Sequence, residues 1–309
     1  MSMPVMTNSA AQGPWTIIAN AYAGRGRARQ AVERCSVALG KAGIETNVLW
    51  SHAVGQSTEA AKQALADDTT TIVIAGGDGT INEVLQAPIP AEVPIGFLPS
   101  GSGNDLCRAV GIPTGPEAID ILLAGHSRRI DLVGCGERRF VTVAAVGLDA
   151  EVSEAKLTGR VRLPGTIGYV WTTLKTLATY RPRPLRLEGD FGRIESSCWL
   201  VATANTASYG GGIQIAPDAQ PTDGLLDIVI VDGSMSRLSI MRLLPRALRG
   251  RHIGNAAVRV ERTSWLRVES LDGVGQVLHA DGERLAHTPA MLQVIPEALT
   301  VLAPRPLDP

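Results

Sequence analysis

The chain has 309 residues, of which 45% are hydrophobic and 19% charged, with a formal net charge of −1 and a mean hydropathy of +0.10. This is the make-up of a globular protein long enough for two domains, each with its own core. Near-neutral charge and an aromatic content of 4% supply neither the basic field nor the stacking platforms that nucleic-acid binding uses, so no nucleic-acid partner is expected.

Met1 to Pro14 is small and polar, without the basic stretch and apolar core of a signal peptide. Trp15–Asn20 is a short apolar run closed by a turn. Arg27–Lys41 carries Ala31, Val32, Cys35, Val37, Ala38 and Leu39 at roughly helical spacing. Thr46–Trp50 reads as a second strand, and the Ala-rich Ser57–Ala66 as a helix with Ser57 as its N-cap. The β-branched run Thr69–Ile74 then leads through Gly76-Gly77-Asp78-Gly79-Thr80 into a helix around Glu83-Val84-Leu85. Val93–Leu98 repeats the device, followed by Pro99-Ser100-Gly101-Ser102-Gly103-Asn104-Asp105 and a helix through Val110; Gly115–Gly125 gives one more helix. Alternating strands and helices predict a mostly parallel sheet covered on both faces. The Gly-rich turns at 20–26, 76–79 and 99–103 all follow strands, so they are expected at the carboxyl edge, where such sheets bind ligands.

From Arg139 onward the pattern changes to short β-branched runs separated by turns: 140–143, 199–202, 226–231, 258–260, 266–268, 277–280 and 291–295. Such spacing predicts an antiparallel sandwich or barrel. Two helical stretches interrupt it. Thr166–Tyr180 places Ile167, Val170, Trp171, Leu174 and Leu177 on one face, and Met235–Arg251 sets Leu238, Met241, Leu244 and Leu248 opposite Arg242, Arg246 and Arg249. The domain break is placed at 136/137. Cys35, Cys107, Cys135 and Cys198 form no C-x-x-C and no zinc-spaced cluster, which points to reduced, buried thiols. No apolar run reaches the ~18 residues of a membrane span.

The turn from Gly76 to Glu83 carries the chemistry. Its glycines leave backbone N–H groups open to close approach by an anion, and a helix N-terminus favours negative charge there by about 0.3–1 kcal/mol. Asp78 would repel a phosphate unless a metal or backbone donor engages it. No Walker A loop is present, and Gly24-Arg25-Gly26 departs from a dinucleotide fingerprint at Arg29. Asp281 and Glu283 flank Gly282 just after an apolar run. On an extended chain, side chains two apart point the same way, which puts both carboxylates on one face; the alternative is a surface Asp-Gly turn.

Gly76-Gly77-Asp78-Gly79-Thr80-Ile81-Asn82-Glu83-Val84 and Leu98-Pro99-Ser100-Gly101-Ser102-Gly103-Asn104-Asp105-Leu106 resemble the two nucleotide-binding signatures of the diacylglycerol kinase catalytic-domain family, which includes sphingosine and ceramide kinases. Ala145–Ala150, Thr222–Asp227 and Asp281-Gly282-Glu283 are similar to its later motifs, in family order. The resemblance implies a Rossmann-like α/β domain of the NAD-kinase and phosphofructokinase kind at 1–136. An antiparallel β-sandwich domain follows at 137–296, and a segment from about 297 to 309 returns to the first domain. The active site is expected in the cleft between the domains.

The implied cofactors are ATP and Mg²⁺. ATP would be held by Asn20, Gly24, Ser51, Gly76, Gly77, Asp78, Gly79, Thr80, Asn82, Glu83, Ser102, Asn104 and Asp105. Ala21 stands where the family usually has Pro. Glu283 is the implied proton acceptor, with Asp281 next, a contribution of about 10²–10⁴-fold in rate. Asp223, with the carbonyls of Gln220 and Leu225, is the implied magnesium site, or else a turn aspartate before a strand; Asp149 is a lipid-side or metal-side carboxylate, or a turn residue. His279 reads as a packed strand histidine. The expected activity is transfer of the ATP γ-phosphate to a hydroxyl of a diacylglycerol-like lipid, at the cytoplasmic, inner face of a membrane. Arg181, Arg183 and Arg186, or Arg237, Arg242, Arg246, Arg249 and Arg251, would meet anionic lipid, or form solvated faces. A homodimer is compatible with this reading. The alternatives are a sphingoid or ceramide kinase, a kinase of NAD or a small alcohol, and a non-catalytic nucleotide or lipid sensor.

Overall fold

A computed structural model describes residues 13–157 and 165–305. Most of the polar N-terminal stretch, and the side chains of Ile167 and Val170, lie outside the described residues. The chain divides into two compact units. One comprises the residues up to Ile130 together with those from Ala298 onward; the other is Asp131–Glu297.

The first unit alternates strand and helix: β1 (Trp15–Asn20), α1 (Arg27–Lys41), β2 (Thr46–Ser51), α2 (Gln56–Ala66), β3 (Thr71–Gly76), α3 (Asp78–Leu85), β4 (Ile95–Pro99), α4 (Asp105–Ala109) and α5 (Glu117–Ala124). The strands pair in parallel in the order β4-β3-β1-β2, with Ile17 beside both Val48 and Val73, and Ile74 beside Phe97. On the outer side of β4, Val301 pairs in parallel with Ile95. β3 is buried at every residue, as a central parallel strand covered on both faces must be. α1 turns Ala28, Val32, Cys35 and Leu39 inward, while Val37, expected on the apolar face, is exposed. α2 begins one residue before Ser57, behind Gly55 in the left-handed region, so Ser57 lies inside the first turn and is not the cap.

The second unit is antiparallel. Its elements are β5 (Ser127–Cys135, which enters it from the first unit), β6 (Arg138–Phe140), β7 (Val143–Gly147), α6 (Leu148–Leu157), α7 (Gly165–Thr179), β8 (Arg183–Gly189), β9 (Gly192–Ala204), β10 (Leu226–Asp232), α8 (Arg237–Ala247), β11 (Val258–Thr263), β12 (Trp265–Ser270), β13 (Val277–Ala280), β14 (Glu283–His287) and β15 (Ala290–Leu302). The order β14-β13-β7-β9-β8-β12-β15 runs through antiparallel ladders, and β10 pairs with both β9 and β11. Period-two alternation sorts the side chains. Ala144, Val146, Cys198 and Ile228 face one core with Leu266, Leu278 and Leu292. Val143, Trp199, Ala202 and Val229 face the opposite way, against Leu177 of α7 and Ile240 and Leu243 of α8.

The interrupting helices depart from the expected faces to different degrees. On α7 Leu177 is buried as expected, whereas Trp171 is 58% exposed and its neighbours Thr172 and Thr173 are buried. On α8 the buried residues are Ile240 and Leu243, whereas Leu238, Met241 and, just past its end, Leu248 are exposed.

Candidate functional site

The three Gly-rich turns of the first unit meet. A Cβ on Gly77 would lie 2.9 Å from the Gly101 Cα, and one on Gly24, at φ +62°, would lie 2.5 Å from the Ser100 carbonyl oxygen. Glycine at these positions therefore serves contact between turns, backbone against backbone. Side chains lock the arrangement. Asn20 donates from Nδ2 to Thr80 Oγ1 (3.3 Å) and accepts the Tyr22 N–H (2.9 Å). Asn104, in the left-handed region at φ +53°, brackets Gly101 by accepting its N–H (3.0 Å) and donating to its carbonyl (3.1 Å). Asp78 accepts the N–H groups of Asn104 (2.7 Å) and Asp105 (2.6 Å). Its charge is thus engaged by backbone donors that open α4. Asp105 in turn pairs with Arg108 at 2.7 Å.

What remains open is the first turn of α3. Gly79 is exposed and nothing lies within 4 Å of the place its Cβ would occupy. The first N–H groups of a helix have no intrahelical acceptor, so this turn offers donors and a positive dipole end to an anion. Thr80 and Asn82 are buried beneath it, and Ser102 is exposed at the tip of the neighbouring turn. Ser51 and Glu83 sit differently. Ser51 is 2% exposed and accepts from Ser57 Oγ at 3.0 Å. The Glu83 carboxylate accepts the Ser57 N–H at 3.2 Å, and its carbonyl accepts from Thr58 Oγ1 at 2.7 Å. Glu83 therefore supplies the anion for the α2 N-terminus and ties α2 to α3.

In the second unit the geometry separates the two carboxylates that an extended chain would have put on one face. Asp281 and Gly282 have φ of +50° and +86°, and Ala280 pairs with Glu283. Asp-Gly forms the two-residue turn of a β13–β14 hairpin, for which positive φ at both positions is the requirement. Asp281 turns back to accept the N–H groups of Val141 and Thr142, both at 3.1 Å, and the Thr142 hydroxyl. It thereby fills the gap between β6 and β7. Glu283, at the start of β14, is exposed. Nearby, Arg284 donates to Glu154 of α6 at 2.7 Å, holding that carboxyl below its usual range, and buried His279 lies 3.2 Å from the same carboxylate. Burial pushes the His279 pKa down. The turn itself is the Asp-Gly alternative that the sequence offers; Thr142 and Glu154, the supports of this hairpin, carry no signal in the sequence.

The same unit encloses a cavity of about 400 Å³ walled by Val152, Leu174, Trp199, Ile213, Val231 and Leu244, with Asp149 and His252 among its polar lining. Ligand pockets of this kind are mostly apolar with a few placed polar groups, at about 300–1,000 Å³. Asp149 is 6% exposed and sits in the first turn of α6. His252 is buried against the Ile215 carbonyl (2.9 Å), and burial lowers its pKa.

Asp223 does not fit a magnesium ion as it stands. Its carboxylate accepts the Leu225 N–H at 3.0 Å and pairs with the Arg262 guanidinium, which also lies 3.6 Å from the buried Asp227. The turn carrying it is held from below by Asp131, which accepts the N–H groups of Gly224 and Glu297, each at 2.8 Å. Among the described residues no group of three or more His, Cys, Asp or Glu side chains is arranged to hold a metal, and no helix is long and apolar enough to cross a membrane.

Residues 14–135 match the family described as Diacylglycerol kinase catalytic domain, and residues 142–303 match the YegS C-terminal NAD kinase beta sandwich-like domain. A Mycobacterium tuberculosis protein named Diacylglycerol kinase is 34% identical over 302 residues, covering 95% of this chain and 96% of its own. One of the same name from Staphylococcus carnosus is 29% identical over 292 residues, covering 94% of each chain. The fold matches the crystal structure of a diacylglycerol kinase from Bacillus anthracis with a TM-score of 0.73 at 19% identity, over 95% of this chain and 97% of that one. Two matching domains in succession and a relative aligned along nearly the whole length leave one assignment: the chain belongs to the diacylglycerol kinase catalytic-domain family and is an ATP-dependent lipid kinase.

Proposed function

We propose that the chain transfers the γ-phosphate of ATP, taken up as its magnesium complex, to a hydroxyl of a diacylglycerol-like lipid drawn from a membrane. The observation that supports this most directly is the second-unit cavity, whose apolar walls suit an acyl chain and whose Asp149 carboxylate suits the hydroxyl end of the acceptor. The relatives named Diacylglycerol kinase favour that lipid over a sphingoid base or ceramide. On the donor side, the open first turn of α3 and the adjoining Ser102 suit the phosphates. Magnesium bound with the nucleotide would neutralise charge as the γ-phosphoryl leaves. Glu283 is the proposed proton acceptor. It is the exposed carboxylate of the hairpin, whereas Asp281 is committed to Val141 and Thr142. Asp149 is a second reading for that role, supported by its place in the cavity wall.

The test is transfer of labelled phosphate from ATP to a panel of diacylglycerol, sphingosine, ceramide, NAD and glycerol, with and without Mg²⁺. Label in extracted diacylglycerol, dependent on Mg²⁺, is the expected result. Label confined to the aqueous phase would remove the lipid acceptor, and ATP binding without transfer to any acceptor would favour a sensor.

A further inference from the structure

The segment from Gly233 to Val260 contains no Asp or Glu, yet it carries Arg237, Arg242, Arg246, Arg249, Arg251 and Arg259. The structure sorts these cations, and those near β8, by what they touch. Arg183 pairs with Asp272, Arg186 with Glu195 and Glu269, and Arg259 with Glu261. Arg237 is spent on the carbonyls of Leu177 and Tyr180. Arg242, Arg246, Arg249 and Arg251 are exposed and form no ion pair with any described residue. Beside them, on α8 and just past its end, runs the exposed stripe of Leu238, Met241 and Leu248, at 53%, 45% and 44% exposure, while Ile240 and Leu243 already anchor the helix to the core. Met241 and Leu248 also line the apolar cavity, so part of this exposed stripe belongs to its wall.

Exposed apolar side chains next to unpaired arginines, on a helix whose third face is buried, are the composition of an element that lies in a lipid interface. We infer that α8 and the residues following it to Arg251 dock on an anionic lipid surface and admit the acceptor directly from the bilayer into the cavity. The occupant is a membrane because both halves of the surface ask for it: the arginines for acidic headgroups, the stripe for the acyl boundary. A lipid that enters past Met241 and Leu248 exchanges one apolar surrounding for another and keeps its chain out of water. This inference rests on the lipid-kinase reading for the identity of what enters, but the docking itself is measurable without turnover.

The experiment compares the wild-type protein with Arg242→Ser/Arg246→Ser and with Leu238→Ser, by co-sedimentation with phosphatidylglycerol-containing and with pure phosphatidylcholine vesicles. Kinase activity is measured in parallel on a short-chain acceptor dispersed in detergent and on the same acceptor in vesicles. Wild type should prefer the anionic vesicles, and losing two arginines should weaken that binding about 25-fold at low salt, at about fivefold per basic residue. Leu238→Ser should weaken it several-fold at any salt. Activity in detergent should be unchanged in both variants and reduced on vesicles. Equal binding to both vesicle types, or unchanged binding in the arginine variant, would overturn the proposal. Arginine-dependent vesicle binding with no transfer to any lipid would instead overturn the kinase reading and leave the docking surface standing.

Discussion

Replacing Asp281 by asparagine separates positioning from chemistry in the β13–β14 hairpin. The aspartate offers two oxygens to the N–H groups of Val141 and Thr142, each at 3.1 Å, and to the Thr142 hydroxyl. Asparagine keeps one acceptor oxygen and sets an NH₂ donor against the other amide. Val141 is 1% exposed, so water cannot replace the lost partner. An unsatisfied buried amide costs about 1–3 kcal/mol, and the surviving bond loses the charge that strengthened it, about 1 kcal/mol more. The sum, about 2–4 kcal/mol, should lower the melting temperature by about 5–15 °C in a unit of this size. Glu283→Gln, at an exposed site without such bonds, should melt within about 1 °C of wild type while turnover falls by about 10²–10⁴-fold. The assay is a thermal melt beside a single-turnover phosphorylation measurement at a temperature where both variants are folded. An Asp281→Asn protein that melts like wild type yet does not turn over would refute the structural role. Full activity in Glu283→Gln would remove that residue as base and move attention to Asp149.

The donor turn makes its own prediction. Gly77→Ala forces a Cβ to 2.9 Å from the Gly101 backbone and should cost about 1–3 kcal/mol of stability, whereas Gly79→Ala has free space and should leave the melt unchanged while raising the KM for ATP; equal effects on both would sink the phosphate assignment. Leu174→Trp places a large ring in the cavity and should raise the KM for a long-chain acceptor without changing that for ATP. Acid should destabilise the fold through His252 and His279. Burial holds both pKa values below 6.5, so the unfolded chain takes up protons first. Their stabilisation is complete above pH 6.5 and is lost as pH falls through that value toward the folded pKa values. His252→Gln should flatten the fall in melting temperature below about pH 6.5, and an unaltered slope would count against a buried neutral imidazole.

The α/β and antiparallel halves were legible because each has its own period. Thr71–Gly76 is a continuous apolar run and residues 290–294 an alternating one, and the physics of two-sided against one-sided burial writes that difference directly into sequence. The meeting of the Gly-rich turns was legible too, since strand ends in a parallel sheet share an edge. Partners far away in the chain were not. The immediate neighbours of Asp281 offer an extended strand or an Asp-Gly turn, but the donors to its carboxylate are Val141 and Thr142, 140 and 139 residues away. The same holds for Glu83, whose spacing within α3 says nothing of the Ser57 amide it receives. Asp223 reads as a metal ligand by motif, and only the β10–β11 register, Asp227 opposite Arg262, brings a guanidinium to it.

The helix α8 shows why an apolar stripe does not by itself say where it points. Leu238, Met241, Leu244 and Leu248 recur at helical spacing and outnumber Ile240 and Leu243, so the hydrophobic pattern alone assigns the first set to the core. The core, however, needs side chains only where the β9–β10 face has room beside Leu177 and Trp199, and Ile240 and Leu243 fill it. Once that face is full, the longer stripe stays exposed. A soluble surface helix under no further demand would carry polar residues there, and a few exposed leucines scattered singly would call for no explanation. Here they share one side of the helix, flanked by arginines that pair with no described residue, and Met241 and Leu248 belong to the wall of the apolar cavity. The excess of hydrophobicity over what folding requires is thus located at the place where a water-insoluble acceptor would have to enter, and that coincidence is what the vesicle experiment puts at risk.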